Sequence, residues 1–355
     1  MFSRSSLIAV DIGTSSVKML ELSGSAKSRK LKSFGMEALP PGAIEDGAIH
    51  DVSAVKNTLA KVASTMGVLG RRAAIALSGS GVLIKKMSVP IGKDVILEEQ
   101  IPFHAEQAFQ VDPTGLYYDF AIVPSFKSTP DTAEIILVGA RREMVEQFVA
   151  CVKDAGLKLG VIECNAISLA NAFEQNHGIV QGLLAIVNVG ASYTQVVFLH
   201  NGVFLFCRDI PIGGLNYTRR IMELSGMPFD QAESLKIACA TSPNRQGKEQ
   251  VVRIFQEVNE QLVHEISGTV NYFLRSGDVD QGQPLRHVFM SGGASRTPGL
   301  DTAIASATQA SVFAINPFQH ISVSESKFGI NRILAMAPVA AVAVGLGLRE
   351  FGDKG

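Results

Sequence analysis

The sequence predicts an α/β fold built from two structurally related halves, and three observations carry that prediction. Residues 6–12, 16–23 and 31–38 are apolar runs bounded by Gly/Ser turns, the pattern of a three-stranded antiparallel meander. Residues 183–189, 194–200 and 202–209 repeat the layout as LLAIVNV, the turn GASY, TQVVFLH, a short turn at Asn201-Gly202, and GVFLFCRD. Helical periodicity follows each meander, and self-similarity with strand-then-helix order restricts the fold more than any single motif does.

The elements between follow in order. Val55, Leu59, Val62, Met66 and Leu69 step by four and three, the spacing of one helix face. RRAAIALSGSGVLIKKMSVP then returns as strand, and 97–110 is a short helix whose extent Pro102 blurs. TAEIILVGAR reads as strand, MVEQFVACVKDAG as a helix closed by Gly156, and LKLGVIE as strand, so that about 85–160 looks like an insertion of β-α-β character. In the second half FDQAESLKIACA is helical, and 249–276 is a longer helix with Val252, Phe255, Val258, Leu262, Ile266 and Val270 along one face. HVFMSGGASRTPGL closes the pattern as strand, glycine turn and helix.

A chain of 355 residues suits two domains. Lysine plus arginine total 32 against 33 acidic residues, a net charge of −1, which supplies no electrostatic reason to expect nucleic acid or an acidic membrane surface as partner. Cys151, Cys164, Cys207 and Cys239 are widely spaced in apolar stretches without metal-ligand spacing, and read as reduced core cysteines of a cytoplasmic protein. The start, MFSRSSLIAVDIG, lacks a signal-peptide pattern. Ile333 to Leu348, ILAMAPVAAVAVGLGL, is uncharged but shorter than the ~20 residues of a membrane span and interrupted by Pro338 and two glycines. It predicts a buried core helix.

Three small-residue turns at strand ends carry the chemistry. In DIGTSSVK, small residues at 13–16 let backbone N–H groups approach anionic oxygens, the hydroxyls of Thr14, Ser15 and Ser16 donate, and Lys18 adds positive charge. Asp11 is placed to hold Mg²⁺ directly or through water. Taken alone, the loop equally fits a plain hairpin turn with a surface lysine. NVGASYT (188–194) holds the equivalent place in the second meander and SGGAS (291–295) follows a later strand, so the three turns could converge on one ligand between the halves.

DIGTSSVK, NVGASYT, IPIGGLNYT, AESLK and MSGGASRTPGL resemble, in order and rough spacing, the phosphate-1, phosphate-2 and adenosine motifs of the superfamily of actin, heat-shock chaperones and sugar kinases. Within it the chain is most similar to the PilM family of type IV pilus assembly proteins, relatives of the cell-division protein FtsA, over nearly its whole length. The resemblance implies duplicated actin-like (ribonuclease H-like) domains with a nucleotide cleft between them. It divides the chain into 1–84 (domain I, first part), 85–160 (an insertion like the 1C subdomain of PilM and FtsA), 161–181 (return to domain I) and 182–355 (domain II, with 217–284 as its smaller subdomain). It implies ATP and Mg²⁺ as cofactors, with Asp11, Gly13, Thr14, Ser15 and Lys18 as phosphate-1 and Gly190, Ala191, Ser192 and Thr194 as phosphate-2. Gly213 and Gly214 would line the nucleotide, Glu233 and Lys236 would reach ribose and adenine, and Ser291, Gly292, Gly293 and Ala294 would pass under the adenosine. Glu233 and Lys236 equally fit an intrahelical ion pair, three residues apart. Glu163 falls where relatives place a polar residue near metal and attacking water, or is a strand-end surface carboxylate.

Two departures bear on chemistry. Asn188 stands where phosphate-2 loops usually begin with aspartate, and Leu215 replaces the asparagine common after the glycine pair. Asparagine cannot act as a general base, so Asn188 should depress hydrolysis more than binding. The implied function is a cytoplasmic ATP-binding scaffold of the pilus machine, at most a weak ATPase, recruited to the inner membrane through partners. Those partners would be a short N-terminal peptide of PilN, bound near Ile101, Phe103, Phe109, Leu116 and Tyr117, with pilus motor ATPases, the platform protein or further copies of itself. The same five apolar residues equally fit the insertion's own core. A sugar or small-molecule kinase of the same fold is the alternative; an FtsA-like division protein is a second, against which the ending GLGLREFGDKG shows no amphipathic anchor.

Overall fold

A computed structural model of the chain describes residues 6–92, 96–124, 129–241, 248–280 and 282–352. The outermost residues of the two expected domains, 1–5 and 353–355, lie outside the described residues.

The first meander is β1 (Ile8–Ile12), β2 (Ser16–Ser23) and β3 (Lys30–Ala38), paired antiparallel in sequence. A two-residue-strand hairpin, β4 (Ile44–Glu45) and β5 (Ala48–Ile49), leads to α1 (Val52–Thr65). The Asp51 side chain accepts from the Ala54 N–H, satisfying one of the donors a helix start leaves unpaired. The helix ends sooner than its periodicity suggests: Met66 caps it, and Leu69 stands exposed beyond Gly67, which takes a φ of +66°.

The stretch expected to return as one strand is two strands in two sheets. β6 (Arg72–Leu77) runs parallel beside β1, and β7 (Val82–Pro90) leaves for a separate sheet. The break falls at 78–81, where Gly79 at φ +91° lies so close to Asp46 that an added Cβ would sit 2.4 Å from its carbonyl oxygen. Then come α2 (Leu97–Phe109), which continues through Pro102, β8 (Leu116–Val123) and β9 (Thr132–Arg141). β7, β9 and β8 form an antiparallel sheet in that order, with Leu97, Ile101 and Ala105 of α2 packed on Val89, Ile135 and Leu137.

Two elements within the stretch 85–160, expected as an insertion, pack with the first sheet. α3 (Arg142–Asp154) buries Met144, Val145, Phe148 and Val152 against Ile8, Val10, Val55 and Leu59, and β10 (Lys158–Cys164) pairs parallel with β6. Both therefore belong to the first sheet, whose order is β10-β6-β1-β2-β3. α4 (Asn165–His177) follows.

The second sheet repeats this topology. β11 (Leu183–Val189), β12 (Thr194–His200) and β13 (Val203–Ile210) make the meander. α5 (Gly214–Ser225), α6 (Phe229–Thr241) and α7 (Glu249–Arg275) come next. β14 (Leu285–Ser291), α8 (Leu300–Thr308) and β15 (Ser311–Ala314) complete the order β13-β12-β11-β14-β15. In each half, then, an antiparallel meander is extended past its first strand by two parallel strands. α7 serves two clusters: Val251, Ile254, Phe255 and Val258 pack with α5 and α6, while Leu262, Ile266, Val270 and Phe273 pack on the sheet.

The chain ends in α9 (Glu325–Phe328), α10 (Ile330–Met336) and α11 (Ala341–Gly347). The single buried helix expected at 333–348 is instead two segments, Ile330–Val339 and Ala341–Gly347, bent by 86° at the break between them, and Leu334 stays 56% exposed. No single helix among the described residues is long and apolar enough to cross a membrane. α11 is buried throughout, and with α4 it fills the space between the two sheets, where Ala9, Leu20 and Ala74 of one face Leu184, Ile186 and Val197 of the other. Burying Val342, Val344 and Leu346 there contributes about 1.5–3 kcal/mol each. The cysteines are free, and all but the half-buried Cys207 are buried.

His177 lies in this central layer, stacked on Phe173 at 4.8 Å and 5.3 Å from Phe289. Burial pushes its pKa below the ordinary 6.5, and the nearby His320 adds to the effect. The folded state thus holds fewer protons than the unfolded chain over that window. Stability is expected to be full above pH 6.5 and to fall as the pH drops below it. Thermal unfolding between pH 8 and 5 checks this, with His177→Leu expected to flatten the slope.

Candidate functional site

The first loop sits at the end of β1. Asp11 and Lys18 face each other across the β1–β2 register, and the Lys18 ammonium lies 3.1 Å from Asp11 Oδ2 with both side chains largely buried. Gly13 closes the turn through its N–H to Ser16 O, and an added Cβ would come 3.3 Å from Lys18 Nζ and 3.9 Å from Asp11 Oδ1. A carboxylate and a cation thus converge under a loop with no side chain over them. Thr14 is half-buried and Ser15 exposed.

In the second half three loops interlock around the end of β11. The Gly190 N–H donates to Tyr193 O, the Gly214 N–H to Gly190 O, the Leu215 N–H to Ala191 O and the Ala294 N–H to Val189 O. Glycine is required by close approach here. A Cβ on Gly213 would meet Ala191 O at 2.6 Å, and one on Gly292, at φ +93°, would meet Val189 O at 2.3 Å. The Gly213 N–H is held by Asn216 Oδ1, so the first N–H groups of α5 serve internal packing, and both glycines are buried among the neighbouring loops.

Lys236 joins this group. Its Nζ donates to Gly214 O at 3.1 Å, to Thr218 Oγ1 at 3.0 Å and to Glu233 Oε2 at 2.7 Å. The ion pair expected three residues apart forms, and its lysine also reaches the glycine pair. Gly214 stands where a Cβ would touch Ala294 Cβ at 3.3 Å and Lys236 Nζ at 3.5 Å, which brings the 190–194, 213–214, 233–236 and 291–294 segments together.

Glu163, expected near metal and attacking water or as a strand-end surface carboxylate, is buried, so the surface alternative does not hold. It stands level with Asp11, each opposite Ala76 of β6, about 10 Å apart at the usual strand spacing. Its carboxylate, however, is 6% exposed and taken by Arg349 Nη1 at 3.3 Å, Ser168 Oγ at 3.0 Å and Asn171 Nδ2 at 3.2 Å. Burial raises its pKa, and Arg349 opposes that shift. Through these bonds Glu163 ties α4 and the segment after α11 to the first sheet. Asn188 is half-buried, in register with Gln195 of β12 and Ser291 of β14.

A family model described as Type IV pilus assembly protein PilM matches residues 9–351. The chain belongs to this PilM family. A solved PilM–PilN type IV pilus biogenesis complex is similar in fold, with a TM-score of 0.85, 21% identity, and 98% of this chain and 99% of that chain covered. MreB 5 of Spiroplasma citri bound to AMPPNP matches with a TM-score of 0.53 and 13% identity over 97% and 95% of the two chains. The cell division protein FtsA of Bacillus subtilis (strain 168) is 22% identical over 256 residues, 64% of this chain. The chain spans 57% of that curated relative's length. The duplicated sheets are thus an actin-like fold, as the motifs implied.

Further polar residues join the two halves of this PilM-family chain. The Tyr193 hydroxyl crosses to the first half, donating to Ser78 Oγ, and lies near Asn165, Asp11 and Asp209. Burial raises its pKa, with Asp209 and Asp11 adding to the shift. Asp209 Oδ1 accepts from Gln195 Nε2 at 2.8 Å and its Oδ2 from the Gly79 N–H at 3.3 Å; burial pushes this carboxyl above the usual range. The period-two register was the available signal, because Asn188, Gln195 and Asp209 stand opposite one another across the second meander.

Proposed function

We propose that this PilM-family chain is a cytoplasmic ATP-binding scaffold that holds a short N-terminal peptide of the membrane-anchored partner PilN and links it to the pilus motor. The observation that carries the nucleotide part is the interlocked set of glycine loops at 190–194, 213–214 and 291–294, with the Asp11–Lys18 pair at the equivalent strand end of the other half. Lys18, Gly13, Thr14 and Ser15 would take one side of the phosphates and Gly190, Ala191, Ser192 and Thr194 the other. Gly213, Gly214, Glu233, Lys236 and Ser291 to Ala294 would line the nucleoside. The AMPPNP named for the MreB 5 structure agrees with such a ligand.

Mg²⁺ fits this donor set through Asp11, whose Oδ2 meets Lys18 and whose Oδ1 would accept from a metal-bound water. Mg²⁺ keeps several waters and takes phosphate oxygens, so one protein carboxylate suffices, and it would supply charge stabilisation on the phosphates. With Asn188 uncharged and Glu163 held by Arg349, the cleft lacks a carboxylate poised to orient an attacking water at either position. Slow turnover follows. Asn188→Asp is expected to raise the ATPase rate about tenfold or more with little change in affinity. A wild-type rate within the ~1–100 per second of ordinary kinases, in a phosphate-release assay, would contradict this.

The insertion supports the peptide part. Of its five apolar candidates, Ile101 and Leu116 are buried and Phe109 is half-buried, but Phe103 is 58% and Tyr117 44% exposed. Tyr117 and the exposed Ile122 lie on β8, an edge strand whose open backbone groups suit addition of an extended peptide. The PilN present in the similar solved complex agrees with such a partner. Calorimetric titration of the full chain with the candidate partner's N-terminal peptide, with and without ATP and Mg²⁺, tests the reading. Absence of binding in both conditions would overturn it, and ATP-dependent phosphate transfer to a sugar would favour the kinase alternative.

A further inference from the structure

The segment 78–81 is the joint between the nucleotide-side sheet and the insertion. β6, beside the Asp11 strand, ends at Leu77, and β7 begins at Val82; the insertion returns at the same point, because the Arg141 N–H donates to Gly81 O at 2.9 Å. From below, Gly47 and Gly79 pack backbone to backbone, and Ser80 Oγ donates to Asp46 Oδ2 at 2.6 Å. From the second half two groups clasp the joint. Tyr193, flanked by the phosphate-2 residues Ser192 and Thr194, donates to Ser78 Oγ, and Asp209 accepts from the Gly79 N–H.

The polar cluster behind this clasp is incompletely paired. Asn165 Oδ1 and Gln195 Oε1 are buried without hydrogen-bond partners, although Asn165 reaches the Tyr193 hydroxyl and Gln195 holds Asp209. Buried acceptors are ordinarily satisfied, so the two open ones are places that donors of a bound ligand or ordered water can take, with a change in the bonds that Tyr193 and Asp209 make. A ligand shifts such an equilibrium only by contacting the two arrangements differently, and one seated on 190–194 contacts the loop that carries Tyr193.

Building on the nucleotide reading above, we infer that the 78–81 joint, clasped by Tyr193 and Asp209, couples nucleotide occupancy of the cleft to the setting of the three-stranded insertion. Coupling of this kind is reciprocal, so whatever binds the insertion changes nucleotide affinity by the same factor. Sequence separation hides the connection: Tyr193 and Ser78 are 115 residues apart.

Hydrogen exchange on the full chain tests it, reading amides of 82–90 and 132–141 with and without saturating ATP–Mg²⁺, with affinity measured in parallel. In the wild type, ATP is expected to change exchange there by about fivefold or more, the lower end of ordinary coupling. Ser78→Ala, outside the nucleotide loops, is expected to keep ATP affinity and lose the response, and Tyr193→Phe to lose it from the other side. Tight ATP binding with unchanged exchange in the insertion, or a wild-type response in both variants, would overturn the coupling alone. Failure of the wild type to bind ATP would overturn the nucleotide reading and the coupling with it.

Discussion

Gly345→Ala is expected to destabilise the chain by about 3 kcal/mol or more, at or beyond the upper end of ordinary overpacking. A Cβ at this position would lie 1.8 Å from the carbonyl oxygen of Ser168 and 2.5 Å from its carbon. Both atoms are backbone of α4, so no side-chain rotation relieves the clash. The two helices must separate, and α11, buried on every residue, would lose contact with both sheets together. Gly268→Ala is the matched control: it lies in α7, exposed, with nothing within 4 Å of an added Cβ. Removing a helical glycine there should raise stability by about 0.5–1 kcal/mol. Urea unfolding of both variants separates the cases, and tolerance of Gly345→Ala would contradict the α4–α11 crossing.

That crossing marks where the sequence was legible and where it was not. AVAVGLG announced burial through its composition, and small residues suited a tight contact, but nothing local showed that the preceding ILAMAP would turn by 86° and stay partly in solvent. The two meanders were legible because alternation, glycine turns and their repetition are local patterns. Sheet membership is not local. α3 and β10 carry the same periodicity whether they close the insertion or complete the first sheet, and only the pairing of β10 with β6 decides it.

The site divides in the same way. Each loop was recognisable from its small residues, and the glycines at 213 and 292 proved necessary for contacts between loops. The partner that holds the Glu163 carboxylate, Arg349, is 186 residues away, and no spacing rule joins them. Tyr193 was hidden inside a motif read for its neighbours. Its role rests on Ser78, which belongs to the other half.

Lys18→Met carries the second large effect, and it acts on binding and stability together. The substitution keeps most of the side-chain volume and removes the charge. A charge-assisted bond to phosphate is worth roughly 1.5–3 kcal/mol, so ATP affinity is expected to fall about 10- to 150-fold in an equilibrium titration. Asp11, only 9% exposed in its side chain, would also lose the cation 3.1 Å away. Breaking such a buried pair from one side costs about 3–5 kcal/mol, less here to the extent that water and Mg²⁺ reach Asp11. Asp11→Asn in the same chain removes the stranded charge. The double variant should therefore regain most of the stability in urea unfolding while its ATP affinity stays low. Recovery of both together would mean that Lys18 only neutralises Asp11, and a single variant with wild-type affinity would show that Lys18 does not meet the phosphates.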